Sequence, residues 1–258
     1  MKKHILLFVI SLLGTTLLFA QKQKKEKKEP APPKTEQEVA VSATDTLPPG
    51  EKYGIRFGVD LSKLVRTAVG EDYTGLELVA DYRVYKHFYA AAELGNESII
   101  KDEPNINTTT KGTYLRIGGD VNLYDNWYGM QNSIIAGLRY GIASFSQELN
   151  SFTVTKDNEG TSVFPPDIRD GDDPQLGKFD GLTASWIELV FGLKTEIAST
   201  NIYLSASVSL RRSLKQKQPD SFENLYIPGF GLTNDFGKIG VGYNYTITYL
   251  LPFYKKKR

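Results

Sequence analysis

Apolar residues recur at every second position along most of the chain after residue 50. The first such segment is GIRFGVDL at residues 54–61. It sets Ile55, Phe57, Val59 and Leu61 against Arg56, Gly58 and Asp60. Alternation with period two is typical of a β-strand whose two faces meet different environments. The segment therefore predicts a strand that carries all of its charges on one face.

Seven further segments show the same alternation, and no helical period persists for three turns. They lie at residues 75–84, 88–97, 113–123, 134–142, 186–194, 202–211 and 239–251. In each of them the charged side chains lie opposite the apolar ones. The pattern predicts an all-β, antiparallel fold of about eight strands.

The composition of the polar face indicates that this face lines a narrow, closed interior. It is rich in glycine and serine, which suit a crowded lumen, whereas glycine on an exposed strand face only weakens pairing. It also carries both charge signs in near balance, as charges facing each other in a closed interior must be compensated. The charges are Arg56, Arg83, Arg116, Arg139, Lys194 and Arg211 against Asp60, Glu77, Asp81, Glu93, Asp120, Glu188 and Glu196. A soluble barrel that binds an apolar ligand alternates in the opposite sense and stays an alternative.

The connections between these strands are alternately short and long. Residues 85–87, 124–131 and 198–201 are short, residues 98–111, 147–181 and 213–235 are long and polar, and residues 63–73 are intermediate. Tight periplasmic turns, long external loops and an even strand number are typical of outer-membrane barrels. Aromatic residues near strand ends fit the headgroup level of the inner boundary: Tyr53, Tyr124, Trp127, Tyr128, Tyr249, Phe253 and Tyr254. We therefore expect residues 51–258 to form an up-and-down transmembrane β-barrel in the bacterial outer membrane.

The beginning of the chain predicts export. Lys2 and Lys3 precede an apolar run at residues 5–19, which is the layout of a cleavable secretory signal and is short for a membrane-spanning helix. Residues 1–20 are thus expected to be a signal peptide. Residues 21–50 are charged, contain proline and lack aromatic side chains, which predicts a disordered periplasmic linker.

Composition narrows the classes of protein further. The chain has no cysteine, so an exported domain of this size must be held by burial and backbone pairing. Removal of residues 1–20 takes away Lys2 and Lys3, which leaves 29 of the 31 basic side chains against 30 acidic ones. Nucleic acid is therefore not an expected partner.

Candidate chemistry is sparse, and we predict no catalytic, cofactor or metal site. His87 is the single histidine outside the signal, and it lies in a predicted turn. Two alternatives stay open. Asp167, Asp170, Asp172 and Asp173 surround Gly171 and could supply oxygen ligands to calcium. Ser144, Ser146 and Glu148 could serve a lipid-modifying enzyme, although no suitable base is evident.

Nine segments together have a familiar sequence: GIRFGVDLSK, GLELVADYR, AAELGNE, TKGTYLRIGGD, GLRYG, SFSQELNS, NLYIPGF and the closing GYNYT and YLLPFYKKKR. They resemble an uncharacterised family of outer-membrane β-barrel proteins from Bacteroidetes, known as domain of unknown function 6048. The resemblance spans about residues 53–258. It implies the fold and the location, and no activity comes with it.

These observations favour a monomeric barrel that is filled by its own charged side chains and conducts poorly. Its expected role is structural, or binding through external loops, without enzymatic activity and without a cofactor. Outer-membrane lipid is the expected surrounding. Loops 147–181 and 213–235, the second with its NLYIPGF motif, are the surfaces expected to meet an external ligand or protein.

Overall fold

The structure, a computed structural model, describes residues 51–125, 131–156, 162–171, 176–198, 200–219, 222–233 and 238–256. The predicted signal peptide (residues 1–20) and linker (residues 21–50) lie outside the described residues. Eleven strands and one helix are described. They are β1 (Glu51–Asp60), α1 (Leu61–Val69), β2 (Tyr73–Tyr85), β3 (Phe88–Glu103), β4 (Ile106–Asn122), β5 (Ser133–Lys156), β6 (Ser162–Arg169), β7 (Gly177–Glu196), β8 (Ile202–Gln216), β9 (Tyr226–Ile227), β10 (Gly231–Leu232) and β11 (Ile239–Lys256).

Eight of the strands pair with their neighbours in a closed ring. The order is β1, β2, β3, β4, β5, β7, β8 and β11, and β11 pairs back onto β1 along the whole length of β1. Every pair in the ring is antiparallel. Closure leaves no ring strand with an unpaired edge, which is how a sheet of this kind avoids edge-to-edge association. The predicted antiparallel all-β fold of about eight strands is confirmed.

The two ends of the ring differ, and we name them by their connections. At the short-turn end, β2 joins β3 through Lys86 and His87, β4 leads into β5, and β7 leads into β8. The hairpin end carries α1, the β3–β4 hairpin, β6 and the β9–β10 ribbon. Strand β6 pairs with the part of β5 that extends beyond the ring.

Two of the predicted long loops are largely strand, so those predictions were wrong. Residues 98–111 form the ends of β3 and β4 around a two-residue turn, and within 147–181 the chain forms the end of β5, β6 and the start of β7. The β3–β4 segment is rich in β-branched residues such as Ile99, Thr108 and Thr110, which favour strands. Continuing the ladder also pairs backbone groups that a loop would leave to water.

Residues 63–73 include most of a helix that the strand pattern did not predict. Helix α1 begins after Asp60, whose carboxylate Oδ1 accepts a hydrogen bond from the Ser62 backbone N–H at 2.8 Å. Its apolar residues recur at helical spacing: Leu61, Leu64, Val65 and Ala68. In the described part of the chain, no helix has both the length and the apolar character needed to cross a membrane.

The two faces of the ring strands carry opposite chemistry. Charged side chains that point inward are buried, among them Arg56, Asp60, Glu77, Asp81, Arg83, Arg116, Asp120, Arg139, Glu188, Lys194 and Arg211. Apolar side chains that point outward are exposed, among them Leu76, Leu78, Leu94, Ile117, Leu138, Leu189, Phe191, Val208, Leu210, Val241 and Tyr243. The prediction that the charged face lines the interior is confirmed.

The aromatic border at the short-turn end differs from its prediction. Tyr249 and Phe253 are exposed, but Tyr53 points inward and is buried beneath the Arg83 guanidinium, whose carbon lies 5.2 Å from the ring centroid. Trp127 and Tyr128 lie outside the described residues. The strand pattern could not assign Tyr53 because a tyrosine suits either face of a strand.

Candidate functional site: a charged lumen and its plug

A continuous set of ion pairs crosses the middle of the ring. Arg116 on β4 contacts Glu77 at 2.6 Å, Glu93 at 2.7 Å and Glu188 at 3.1 Å. Arg211 on β8 also contacts Glu188, at 3.2 Å. Burying an unpaired charge is very costly, so these side chains require one another across the lumen. The network thereby couples β2, β3, β4, β7 and β8.

A second group of charges fills the lumen nearer the short-turn end. The Asp81 carboxylate on β2 forms ion pairs with Arg56 Nε and with Lys194 Nζ, each at 2.6 Å. The Arg56 guanidinium also stacks over the rings of Tyr89 and Tyr203, at 4.7 and 5.1 Å from their centroids. One carboxylate here bridges β1 and β7, which are not neighbours in the ring.

Little empty space remains between these side chains. The cavity bounded by Glu77, Asp81, Arg116 and Lys194 has a volume of about 50 Å³, which is room for a few water molecules. Inward-facing glycines create the space that the charges occupy. A Cβ on Gly137 would lie 2.0 Å from Asp120 Oδ1, and one on Gly242 would lie 2.3 Å from Arg211 Nη2. The lumen of the described ring is therefore filled with protein atoms.

The hairpin end of the lumen is closed by a separate segment, residues 226–230, which we call the plug. Its five residues, Tyr-Ile-Pro-Gly-Phe, are all buried. Phe230 packs edge-to-face on Trp186, with 5.9 Å between the ring centroids. Ile227 and Phe230 belong to one apolar cluster with Tyr114 and Phe145 of the ring. The plug thus lies against inward-facing side chains of β4, β5 and β7.

Glu97 on β3 joins the plug and helix α1 to the ring. One oxygen of its carboxylate accepts hydrogen bonds from the Tyr226 hydroxyl at 2.8 Å and from the Gly229 backbone N–H at 3.0 Å. Its other oxygen accepts from the Tyr73 hydroxyl at 2.9 Å and is paired with Lys63 of α1. Burial, reinforced by Glu97, raises the pKa of Tyr226 well above its ordinary value, so the phenol remains a donor.

The plug turns at Gly229, where only glycine fits. Its φ is +77°, a left-handed conformation that side chains with a Cβ rarely adopt. A Cβ would also lie 2.4 Å from Cγ of Tyr114. The Phe230 carbonyl then accepts a hydrogen bond from Arg211 Nη1 at 2.9 Å. Arg211 therefore connects the plug to the ion pairs of the lumen.

The position of the plug corrects the prediction for loop 213–235. The NLYIPGF motif was expected to be presented outside, but Asn224 and residues 226–230 are buried. Residues 213–216 belong to β8, and Leu232 is exposed on β10. The apolar content of the motif was a signal for burial. Its bonding partner, Glu97, is 132 residues away from Gly229 in sequence, which local patterns do not reveal.

The structure does not bring the histidine near the other sequence candidates for catalysis. Ser144, Ser146 and Glu148 lie on the end of β5 nearer the hairpin end, and Ser144 and Glu148 are exposed there. His87 lies in the β2–β3 turn at the short-turn end, with its Nε2 at 4.0 Å from Asp125 Oδ1. The described chain therefore separates its histidine from these residues by most of the ring.

The acidic residues considered for calcium are described only in part. Asp167 on β6 pairs with Arg169 at 2.8 Å, and Asp170 is exposed. Asp172 and Asp173 lie outside the described residues. Within the described ranges, no group of three or more histidine, cysteine, aspartate or glutamate side chains is arranged to hold a metal ion.

Comparison with known proteins adds one match. A family model described as Domain of unknown function (DUF6048) matches residues 4–256, which is nearly the whole chain. Neither a curated protein nor a solved structure matches the chain significantly.

Proposed function

The chain belongs to the family described as Domain of unknown function (DUF6048), and we propose that it is a closed, non-conducting outer-membrane β-barrel that binds through its hairpin end. The proposal includes cleavage of residues 1–20 on export, a source in Bacteroidetes and a monomeric state. The short-turn end would face the periplasm and the hairpin end would face outside.

The observation that carries this proposal is the exposed apolar belt on the outer face of the ring. Leu138, Leu189 and Leu210 pair directly across β5, β7 and β8, and all are about half exposed. A water-soluble protein rarely exposes a contiguous apolar surface of this extent. Buried charges inside and apolar side chains outside suit a ring surrounded by lipid, where a closed barrel satisfies every backbone group.

The filled lumen supports a role without conduction. Arg116, Glu188 and their partners occupy the middle of the ring, and the plug covers the hairpin end. An eight-stranded barrel has an interior just wide enough for side chains. We propose that solutes do not cross this protein and that its activity resides on the surface outside the membrane.

Strand length supports binding at the hairpin end. A transmembrane strand needs about 9–11 residues, whereas β5 has 24 and β7 has 20. The surplus residues of β5 stay paired, first with β7 and then with β6, and form a projection beyond the ring. Strands hold binding side chains in fixed positions better than loops do. We propose this projection as the surface that meets an external ligand or protein.

Heat-modifiable mobility tests the proposal. Membranes from cells that express the full chain are fractionated, and the extracted protein is run on a denaturing gel with and without boiling. A closed barrel stays folded in the unboiled detergent sample and migrates differently from the unfolded chain. We expect a mobility shift for protein recovered from the outer-membrane fraction.

Conductance across planar bilayers tests the second half of the proposal. We expect insertion without steady channels. Recovery in the soluble periplasmic fraction without a mobility shift would contradict the membrane assignment. Steady open channels from the refolded, heat-modifiable protein would contradict the closed lumen while leaving the membrane assignment intact.

A further inference from the structure

A groove of about 610 Å³ lies on the outer face of the ring, at the level where the strands pass into the hairpin projection. The half nearer the belt is apolar. Leu94, Leu115 and Ile142 pair directly across β3, β4 and β5, and they form the floor there. The groove therefore opens directly onto the exposed apolar belt.

The half nearer the hairpin end is lined by small hydroxyl side chains. Thr113 pairs with Ser144, and Ser144 pairs with Thr183, so three neighbouring strands place them in one row. Ser185 follows on β7, beside Ile142. The small size of these side chains makes the outer face concave at this level, and each hydroxyl can both donate and accept a hydrogen bond.

A β-bulge in β8 places two lysines beside this row. Trp186 pairs with Ser213, but the preceding residue, Ser185, pairs with Lys215, so one residue of β8 is extra. A shift of one residue exchanges the faces of a strand. Without the bulge, Lys215 would pair with the inward-facing Ala184. With it, Lys215 and Lys217 are both exposed and line the groove.

The backbone at Lys217 is held from both sides. Its N–H donates to the Thr183 carbonyl at 2.8 Å, and its carbonyl accepts from Asn224 Nδ2 at 3.1 Å. No ion pair joins Lys215 or Lys217 to an acidic side chain in the described part of the chain, whereas the nearby Lys178 pairs with Asp180 at 2.9 Å. Among the described residues, these two positive charges are thus left available to an anion.

We propose that this groove binds an anionic, phosphate-bearing lipid of the outer leaflet. The phosphate lies between Lys215, Lys217 and the hydroxyl row, and an acyl chain lies along Leu94, Leu115 and Ile142. Lysine ammonium groups and hydroxyls are suitable donors for phosphate oxygens. The apolar floor favours a lipid over free phosphate, and the assignment rests on the proposed location in the outer membrane.

Native mass spectrometry of the full chain in detergent tests the site, with phosphatidic acid and phosphatidylcholine as the two probes. We expect phosphatidic acid to bind more tightly. The double variant Lys215→Gln, Lys217→Gln should reduce its affinity about tenfold or more, since each lysine near a membrane surface attracts anionic lipid. The matched control is Lys178→Gln, Lys238→Gln, which removes the same charge from two exposed lysines and should leave the affinity unchanged.

Two further arms separate the possible outcomes. Thr183→Leu keeps both lysines and fills the groove, so phosphatidic acid binding should fall while heat-modifiable mobility is retained. Excess inorganic phosphate should not displace the lipid. An equal loss in the control double variant, or displacement by inorganic phosphate, would overturn the proposal. If the protein is heat-modifiable and membrane-bound without a preference for phosphatidic acid, only the lipid site fails; if it is soluble, the membrane assignment fails as well.

Discussion

The lumen of this protein is filled in two different ways. Through most of the ring, the strands fill it themselves, because each inward-facing charge meets a partner from another strand, as Arg116 meets Glu77 and Glu188. At the hairpin end, a separate segment enters and packs aromatic and apolar side chains against the wall, as Phe230 packs on Trp186. The ion-paired side chains belong to the ring strands, whereas the plug is a separate segment that can leave the lumen without breaking a ring strand.

The ion pairs and the plug differ in how they are attached to the ring. The ion pairs are fixed by strands that also form the ring, so they cannot separate without breaking the ring itself. Beyond its apolar packing, the plug is joined to the ring by polar contacts with Glu97 and Arg211. Loss of those contacts would free the plug while the ring persists. Variants in the two regions should therefore differ in kind, with global unfolding in one and local opening in the other.

The largest effect is expected from Arg116→Met. The side chain keeps a similar length, but Glu77, Glu93 and Glu188 lose their shared guanidinium inside the lumen. Removing one partner of a buried ion pair typically costs about 3–5 kcal/mol. We expect the free energy of unfolding in urea, measured in detergent micelles by gel mobility, to fall by that amount.

The control for this variant is Lys111→Met, at an exposed position on the part of β4 nearer the hairpin end. Loss of an exposed cation outside the apolar belt should change stability by about 0.5 kcal/mol or less. An equal fall in the free energy of unfolding in the two variants would mean that the ion pairs of the lumen do not stabilise the fold.

The next effect concerns the outer face of the same strands. Leu189→Arg places a charge in the apolar belt, and such a charge in the lipid-facing middle of a barrel costs about 2–4 kcal/mol. Ile168→Arg makes the same change at an exposed position on β6, outside the ring. We expect unfolding to become easier in the first variant only. Tolerance of arginine at Leu189 would mean that the belt faces water.

The plug should respond to Gly229→Ala. The new Cβ would meet the Tyr114 ring and would strain the left-handed backbone. Gly171→Ala has a similar φ of +65° with nothing within 4 Å, so it carries the backbone strain alone. We expect the opening free energy of residues 226–230, from amide hydrogen exchange, to fall by about 1–3 kcal/mol more than any change at residue 171, as for an overpacked site.

The smallest effect is expected from Glu97→Gln. The change keeps the shape of the side chain but removes the charge that pairs with Lys63 and accepts from Gly229. Hydrogen bonds to charged groups contribute about 1.5–3 kcal/mol, and part of each bond persists with glutamine. Amide exchange should quicken in α1 and in residues 226–230 together, with mobility on gels unchanged. Faster exchange in only one of the two would show that Glu97 does not join them, and Glu148→Gln serves as the exposed control.

The ring strands could be predicted from the sequence because the alternation of polar and apolar residues is a local pattern within each strand. Alternation at Arg56, Asp81 or Glu188 places each charge on one face whatever the partner strand is, and closure then directs that face inward. The extension of β3 and β4 was missed because these segments are polar, and polar segments are typical of loops even when their threonines favour strands. Backbone pairing between the two strands determines their structure.

The plug and α1 were both missed in the sequence, but for different reasons. Helix α1 had a detectable signal, since Asp60 can cap a helix and Leu61, Leu64 and Val65 follow at helical spacing. No local sequence pattern indicated that the plug points into the lumen. Its burial depends on a carboxylate from β3 and a guanidinium from β8, which only the folded ring brings together.

The central claim is that the apolar face of the ring contacts lipid, and cysteine labelling in intact membranes tests it most directly. The chain has no cysteine of its own, so Leu138→Cys on the belt and Ile168→Cys on β6 each supply a single thiol. We predict that a membrane-impermeant maleimide labels Cys at position 168 readily, and that position 138 reacts only with a lipid-soluble maleimide. Rapid labelling of position 138 by the impermeant reagent would contradict the account.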